Sequence, residues 1–183
     1  MHHTYMLGES SEGIFIIDQH VAHERVLFDR LTEGSDHRAA EPQPLLIPLT
    51  LHLNHRESLA LEANRETLEE MGFAIEPFGR DAFVVRGIPL MLVGKNYEQA
   101  LKDIIDELCD QADPTHLQIR REEIASMVAC KSAIKAGDKL TYEEMSRLLE
   151  ELRATRNPYT CPHGRPIVII LSIAELEKKF KRR

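Results

Sequence analysis

Two short polar runs, Asp18-Gln19-His20-Val21-Ala22-His23-Glu24 and Cys161-Pro162-His163-Gly164-Arg165-Pro166, stand near opposite ends of the chain. Each is dense in side chains that bind divalent metals, and each adjoins a β-branched run that reads as a buried strand. If both runs serve one ion, the two ends of the chain must meet and the middle must loop out between them. That demand restricts the topology more than any local propensity does. A mixed set of nitrogen, sulfur and oxygen ligands suits zinc or manganese far better than magnesium or calcium.

The rest of the pattern agrees with such a layout. Thr4 to Glu9 and Gly13 to Asp18 form a hairpin around Ser10-Ser11-Glu12-Gly13, followed by a helix from Val21 to Leu31. Glu33 to Pro48, rich in Pro, Gly and acid, reads as loop or linker. Arg56 to Met71 has helical spacing and stops at Gly72. Phe73 to Phe78 and Ala82 to Gly87 make a second hairpin. Helices return at Asn96 to Cys109, at Arg120 to Ala136, and at Thr141-Tyr142-Glu143-Glu144, a capping box that opens a helix through Ala154. Ile167 to Ser172 is a strand and Ile173 to Phe180 a final amphipathic helix. The expected class is α+β with two lobes: residues 1–48 and 128–183 carry both metal-like runs, and 49–127 form an inserted lobe.

Composition narrows the function. With 183 residues, 43% of them hydrophobic, the chain can bury a proper core. Ile167 to Leu171, the longest apolar run, is strand-sized, so no membrane span is expected. Three cysteines and no secretory-type apolar N-terminus point to a reducing cytoplasm. The net charge of −7 argues against a domain that grips nucleic acid unaided. The only dense basic run is Lys178-Lys179-Phe180-Lys181-Arg182-Arg183.

His20 and Glu24 stand one helical turn apart and point the same way. By themselves they form a metal-ligand pair or a salt-bridged pair on a helix face. Asp18 just before them, and Cys161 and His163 on one side of a Gly- and Pro-rich turn, favour the metal. His23 falls off the stripe and is expected in solvent. By spacing alone Cys130 is a core cysteine beside Met127 and Ile134, Cys109 is structural, and Asp29 pairs with Arg25 on the surface.

Asp-Gln-His-x-Ala-x-Glu at 18–24, Ala-Cys-Lys at 129–131, Cys-Pro-His-Gly-Arg-Pro at 161–166 and Phe-Lys-Arg at 180–182 resemble, in order, the C-terminal domain of the MutL family of DNA mismatch-repair proteins. The match is with the members that nick DNA themselves. Position 21 is Val where that motif has Ala, and position 29 is Asp where its last acid is Glu. Lys131 stands for the usual Arg, which keeps the charge without the planar fork.

The resemblance implies an intertwined homodimer built by the flanking segments, with the inserted lobe regulatory. It also implies a metal-dependent endonuclease with ligands His20, Glu24, Cys130, Cys161 and His163. Asp18 would be catalytic together with Glu24, and Arg165, or Arg182 of the partner subunit, would meet the phosphate. Thiolates favour a tightly held Zn2+ of structural or regulatory kind, with Mn2+ at the carboxylate side for chemistry. Gln43-Pro44-Leu45-Leu46-Ile47-Pro48 resembles the peptide by which such proteins dock on the replication sliding clamp, through Gln43, Leu46, Ile47 and Pro48. A Pro-bounded linker is the other meaning of that run. Further implied partners are DNA, the mismatch-recognition protein MutS and the ATPase region of the same protein, whose Gly-rich phosphate motifs are absent from these residues. The implied location is the bacterial cytoplasm, at the nucleoid. Two other functions compete: a non-catalytic dimerisation and partner-binding module stapled by zinc, and a metallohydrolase of small molecules.

Overall fold

The computed structural model describes residues 2–33, 41–111 and 118–182. The elements run β1 (Tyr5–Ser10), β2 (Gly13–Asp18), α1 (Gln19–Glu33), β3 (Pro42–His52), α2 (His55–Glu70), β4 (Ala74–Pro77), β5 (Ala82–Pro89), α3 (Tyr97–Gln111), α4 (Arg121–Ser132), α5 (Tyr142–Arg153), β6 (Val168–Ser172) and α6 (Ile173–Lys179), with a 3-10 turn at Leu90–Leu92. The class is α+β, as expected. The chain divides into a flanking unit, Met1–Asp29 with Ala133–Arg183, and a middle unit, Arg30–Ser132. Cys130 and the run Gln43 to Pro48 therefore belong to the middle unit. Among the described residues no helix is long and apolar enough to cross a membrane.

In the flanking unit β2 lies between β1 and β6, antiparallel to both. One face of this sheet supplies Met6 and Ile17 to a core shared with Val21, Ala22 and Val26 of α1, Leu148 and Leu152 of α5, and Cys161 and Ile167. Burying these side chains, at ~1.5–3 kcal/mol each, fixes α1 against the strand that feeds it. The capping box of α5 forms as the sequence predicts: Thr141 accepts from the Glu144 amide and the Glu144 carboxylate accepts from the Thr141 amide. Those bonds, the backbone one foremost, hold the Glu144 carboxyl below its ordinary range.

The opposite sheet face departs from expectation. β6 is an edge strand and not a buried one: Ile169, on this face, is half exposed, and so is Ile170 on the other. Register places Leu7, Ile16 and Ile169 in one row across the three strands. Alternation puts Tyr5, Ile14 and Leu171 on that same face, with the acids Glu9 and Asp18 at its two ends, so its middle is apolar.

The middle unit has its own sheet, in the order β3-β5-β4. Central strand β5 buries Phe83, Val84, Val85 and Ile88, and α2, α3 and α4 contribute Leu61, Leu68, Leu101, Ile104, Ile105, Leu108 and Ile124 to the core. Here the expected linker, Glu33 to Pro48, is corrected over its second part: Pro42–His52 is a strand, while residues 34–40 lie outside the described ones. Its prolines read as breakers, but an edge strand tolerates residues without an N–H. Pairing slips between Pro44 and Leu49, so Leu45 to Pro48 bulge out of the ladder.

Helix α4 also stops earlier than its apolar spacing suggests, at Ser132 and not Ala136. The amides beyond it find partners outside the helix: Ile134 N–H donates to His23 Nδ1 at 3.0 Å and Lys135 N–H to Asp138 Oδ2 at 2.8 Å.

Candidate metal centre

The site is built where β2 runs into α1. Asp18 ends the strand, and its Oδ1 accepts from the amides of His20 (2.9 Å) and Val21 (3.1 Å). This is the geometry of a helix N-cap. Asp18 thus has a structural task that its place in the motif did not reveal. Both capping bonds fall on Oδ1, which leaves Oδ2 for other work.

Gln19, next in the motif, is buried. Its amide nitrogen donates to the His3 carbonyl at 2.6 Å and the Asp138 carbonyl at 2.8 Å. No pattern around Gln19 points to a role for it, yet a side chain with two donors is what two converging carbonyls require. It ties the chain start and the segment after α4 to the helix that carries the ligands.

His20 Nδ1 lies 2.7 Å from the Ile134 carbonyl. A carbonyl only accepts, so Nδ1 carries the proton and Nε2 keeps its lone pair. Fixing one imidazole nitrogen with a carbonyl is how metal-binding histidines are oriented. One turn on, a Glu24 carboxylate oxygen lies within 4.8 Å of a His20 ring nitrogen. Glu24 is 1% exposed. Its Oε1 is 3.2 Å from His163 Nε2 but receives no hydrogen bond. Two atoms bound to one tetrahedral zinc at ~2.0–2.1 Å would stand about 3.3 Å apart. A buried carboxylate oxygen without a donor is costly. This orphaned oxygen, the lone pair on His20 and the nearby imidazole fit a cation.

The turn bearing His163 is rigid. Gly164 N–H donates to the Cys161 carbonyl at 2.9 Å, and Cys161 N–H to the Arg165 carbonyl at 2.9 Å. Pro162 presets the turn and Gly164 takes φ +78°, where a side chain would be strained. Thr160 bridges Pro166, and Ile167 N–H reaches the Tyr159 carbonyl at 2.9 Å. Cys161 is buried in the core cluster, while His163 and Arg165 are exposed. The turn therefore brings His163 to Glu24 and shows Arg165 to solvent.

Two expectations for α1 and its surroundings change. His23 is half-buried and accepts from Ile134, where solvent was expected. Arg25 and Asp29 are buried rather than surface decoration: their atoms meet at 2.7 Å, and Asp29 Oδ2 also accepts from the Arg156 amide at 2.9 Å. Spacing showed the pair but not the segment after α5 that covers it.

In the middle unit, Cys130 lies near the end of α4 and is partly buried. Beside it Lys131 Nζ is 2.6 Å from Glu107 and 3.5 Å from Asp103. Burial pulls that amine's pKa down, but the bond and charge of Glu107 and the charge of Asp103 together raise it. Lys131 thus joins α4 to α3, a task a point charge performs as well as a guanidinium. Cys109 is buried, and burial pushes its thiol up. On the bulge of β3, Leu46 is 99% and Ile47 78% exposed.

A family model described as the MutL C terminal dimerisation domain matches residues 1–140. The chain belongs to this family. The DNA mismatch repair protein MutL of Shouchella clausii (strain KSM-K16) is 41% identical over 182 residues. That of Symbiobacterium thermophilum is 43% identical over 185 residues, and that of Listeria monocytogenes serovar 1/2a 40% over 182. Each similarity covers 100% of this chain but only 28%, 29% and 30% of the respective MutL protein. The chain spans less than a third of the MutL relatives it matches. The family model covers the Asp18–Glu24 run and Cys130, and the MutL relatives extend the likeness over Cys161 to Pro166.

Proposed function

We propose that this chain works within a mismatch-repair protein as a homodimeric, metal-dependent endonuclease that nicks one strand of DNA. The observation that carries the reading is the Oε1 of Glu24, buried without a donor, 3.2 Å from His163 Nε2 and on the same helix face as His20. His20, Glu24, Cys161 and His163 would hold the metal. The resemblance to the family's nicking members adds Cys130 to that ligand set. Zn2+ suits the thiolate side and Mn2+ the carboxylates of Asp18 and Glu24.

When bound, the metal would polarise the phosphoryl oxygen and make water nucleophilic at neutral pH. The chain's own groups do the rest. Asp18 Oδ2 orients the attacking water and takes its proton, while Oδ1 keeps the helix start in place. Arg165, exposed on the turn, pairs with the phosphate, and Arg182 of the partner subunit adds charge.

The homodimer is supported by the apolar row Leu7, Ile16 and Ile169, too large a continuous surface for ordinary solvent exposure. Because the chain is acidic, other partners must deliver the DNA. Gln43, Leu46, Ile47 and Pro48 fit docking on the sliding clamp, since the bulge holds Leu46 and Ile47 outward. MutS and the ATPase region of the protein complete the assembly, in the bacterial cytoplasm at the nucleoid.

One observation favours a second reading, a zinc-stapled module without catalysis: Asp18 already serves as the helix cap. Asp18→Asn separates the two, because Asn caps as well as Asp but cannot take a proton from water. Relaxation of supercoiled plasmid with Mn2+ is expected to fall about a hundredfold in that variant, with thermal stability unchanged. Equal nicking by both proteins would overturn the role of Asp18. No nicking under any metal, with a dimer that loosens on chelation, would favour the staple.

A further inference from the structure

His20 and His23 lie three residues apart on α1 and grip the same residue of the segment after α4. His20 Nδ1–H donates to the Ile134 carbonyl at 2.7 Å, and Ile134 N–H donates to His23 Nδ1 at 3.0 Å. The two rings are therefore in opposite tautomers, His20 with the proton on Nδ1 and His23 with its proton on Nε2.

We propose that His23 is a positioning residue for the metal centre: by accepting from Ile134 it sets the peptide whose carbonyl fixes the tautomer of His20. The inference rests on the metal reading above. A continued helix would turn the Ile134 amide toward its own i−4 carbonyl and swing the Ile134 carbonyl with it. His23 supplies the acceptor that the Ile134 amide, beyond the end of α4 at Ser132, uses instead. The side chain of Ile134 packs against the flanking core and limits the freedom of that peptide. With the carbonyl held, His20 keeps its proton on Nδ1 and leaves Nε2 as the nitrogen able to bind an ion. Without it, the imidazole would divide between tautomers, and only one offers Nε2 to an ion. Outer groups that orient a ligating histidine are worth about 10–100-fold in metal affinity.

The test uses His23→Leu, which removes the acceptor, and His23→Asn, whose Oδ1 takes the place of Nδ1. Zn2+ affinity is measured by competition with a chromophoric chelator. The His20 tautomer is read in the metal-free protein from its ring nitrogen resonances, and thermal unfolding of the metal-free protein serves as the control. Expected are a loss of at least about tenfold in Zn2+ affinity for His23→Leu, a His20 signal divided between tautomers, and recovery of both in His23→Asn. A drop in melting temperature with unchanged affinity and an intact Nδ1–H on His20 would leave His23 a purely structural residue and overturn the inference. Wild type that takes up no Zn2+ would remove the metal reading itself. The His20 tautomer in His23→Leu would still decide whether His23 positions it.

Discussion

The chain builds two three-stranded antiparallel sheets and finishes them differently. In the flanking unit, β1-β2-β6 covers one face with α1 and α5 and leaves the other apolar, with Leu7 56% and Ile169 53% exposed. In the middle unit, the apolar side chains of central strand β5 are mostly buried, and the unit's two most exposed apolar side chains, Leu46 and Ile47, stand together on one bulge of edge strand β3. A broad bare face needs a surface of similar breadth to cover it, and a second copy provides one by symmetry. Two protruding side chains suit pockets on an unrelated partner. The largest predicted effect follows. Leu7→Asp with Ile169→Asp is expected to give a folded monomer by sedimentation equilibrium. Each change occurs twice in a twofold dimer, so losing ~1.5 kcal/mol per side chain removes about 6 kcal/mol, roughly four decades in dissociation constant. A dimer that survives both changes would place the interface elsewhere.

The same contrast extends to charge. Arg25–Asp29 in the flanking unit and Arg86–Glu76 in the middle unit both meet at 2.7 Å. The first pair is buried and the second exposed, and the Nε of Arg25 has no hydrogen-bond partner. Asp29→Ala strands a buried guanidinium and also removes the acceptor of the Arg156 amide, so a loss of about 3 kcal/mol is expected in urea unfolding. Glu76→Ala is expected to cost under about 1 kcal/mol. Equal effects would mean that burial does not decide the worth of these pairs.

How far the sequence disclosed this molecule depends on the kind of contact involved. The hairpin at 5–18, the capping box at Thr141 and the turn at Cys161 to Gly164 are set by neighbouring residues, and their patterns showed them. Contacts between distant segments left no local trace. Nothing near Gln19 indicates that the carbonyls of His3 and Asp138 converge on it, and nothing near His23 marks it as the acceptor of the Ile134 amide. In β3, Pro42, Pro44 and Pro48 suggested a linker because a proline's tolerance depends on which strand edge it occupies, a tertiary fact. The edge position of β6 was hidden likewise: a run such as Val168 to Leu171 looks the same whether its cover comes from its own chain or from another.

The smallest effect on the molecule itself is expected at the bulge, and its smallness is the test. Leu51, in the same strand as Leu46 and Ile47, is 2% exposed, and Leu51→Ala should cost about 3 kcal/mol by opening the core of the middle unit. Leu46→Ala with Ile47→Ala should move stability by no more than about 0.5 kcal/mol and leave self-association unchanged, since neither side chain belongs to the face around Leu7. Capture of the purified sliding clamp on the immobilised chain should nevertheless be lost. If the bulge variant unfolds as readily as Leu51→Ala, those side chains hold the sheet and do not recognise a partner. If it binds the clamp as wild type does, docking lies outside the bulge. A loss confined to clamp capture would show that the middle unit keeps its recognition on a few side chains that its own fold does not need, whereas the flanking unit offers a whole face.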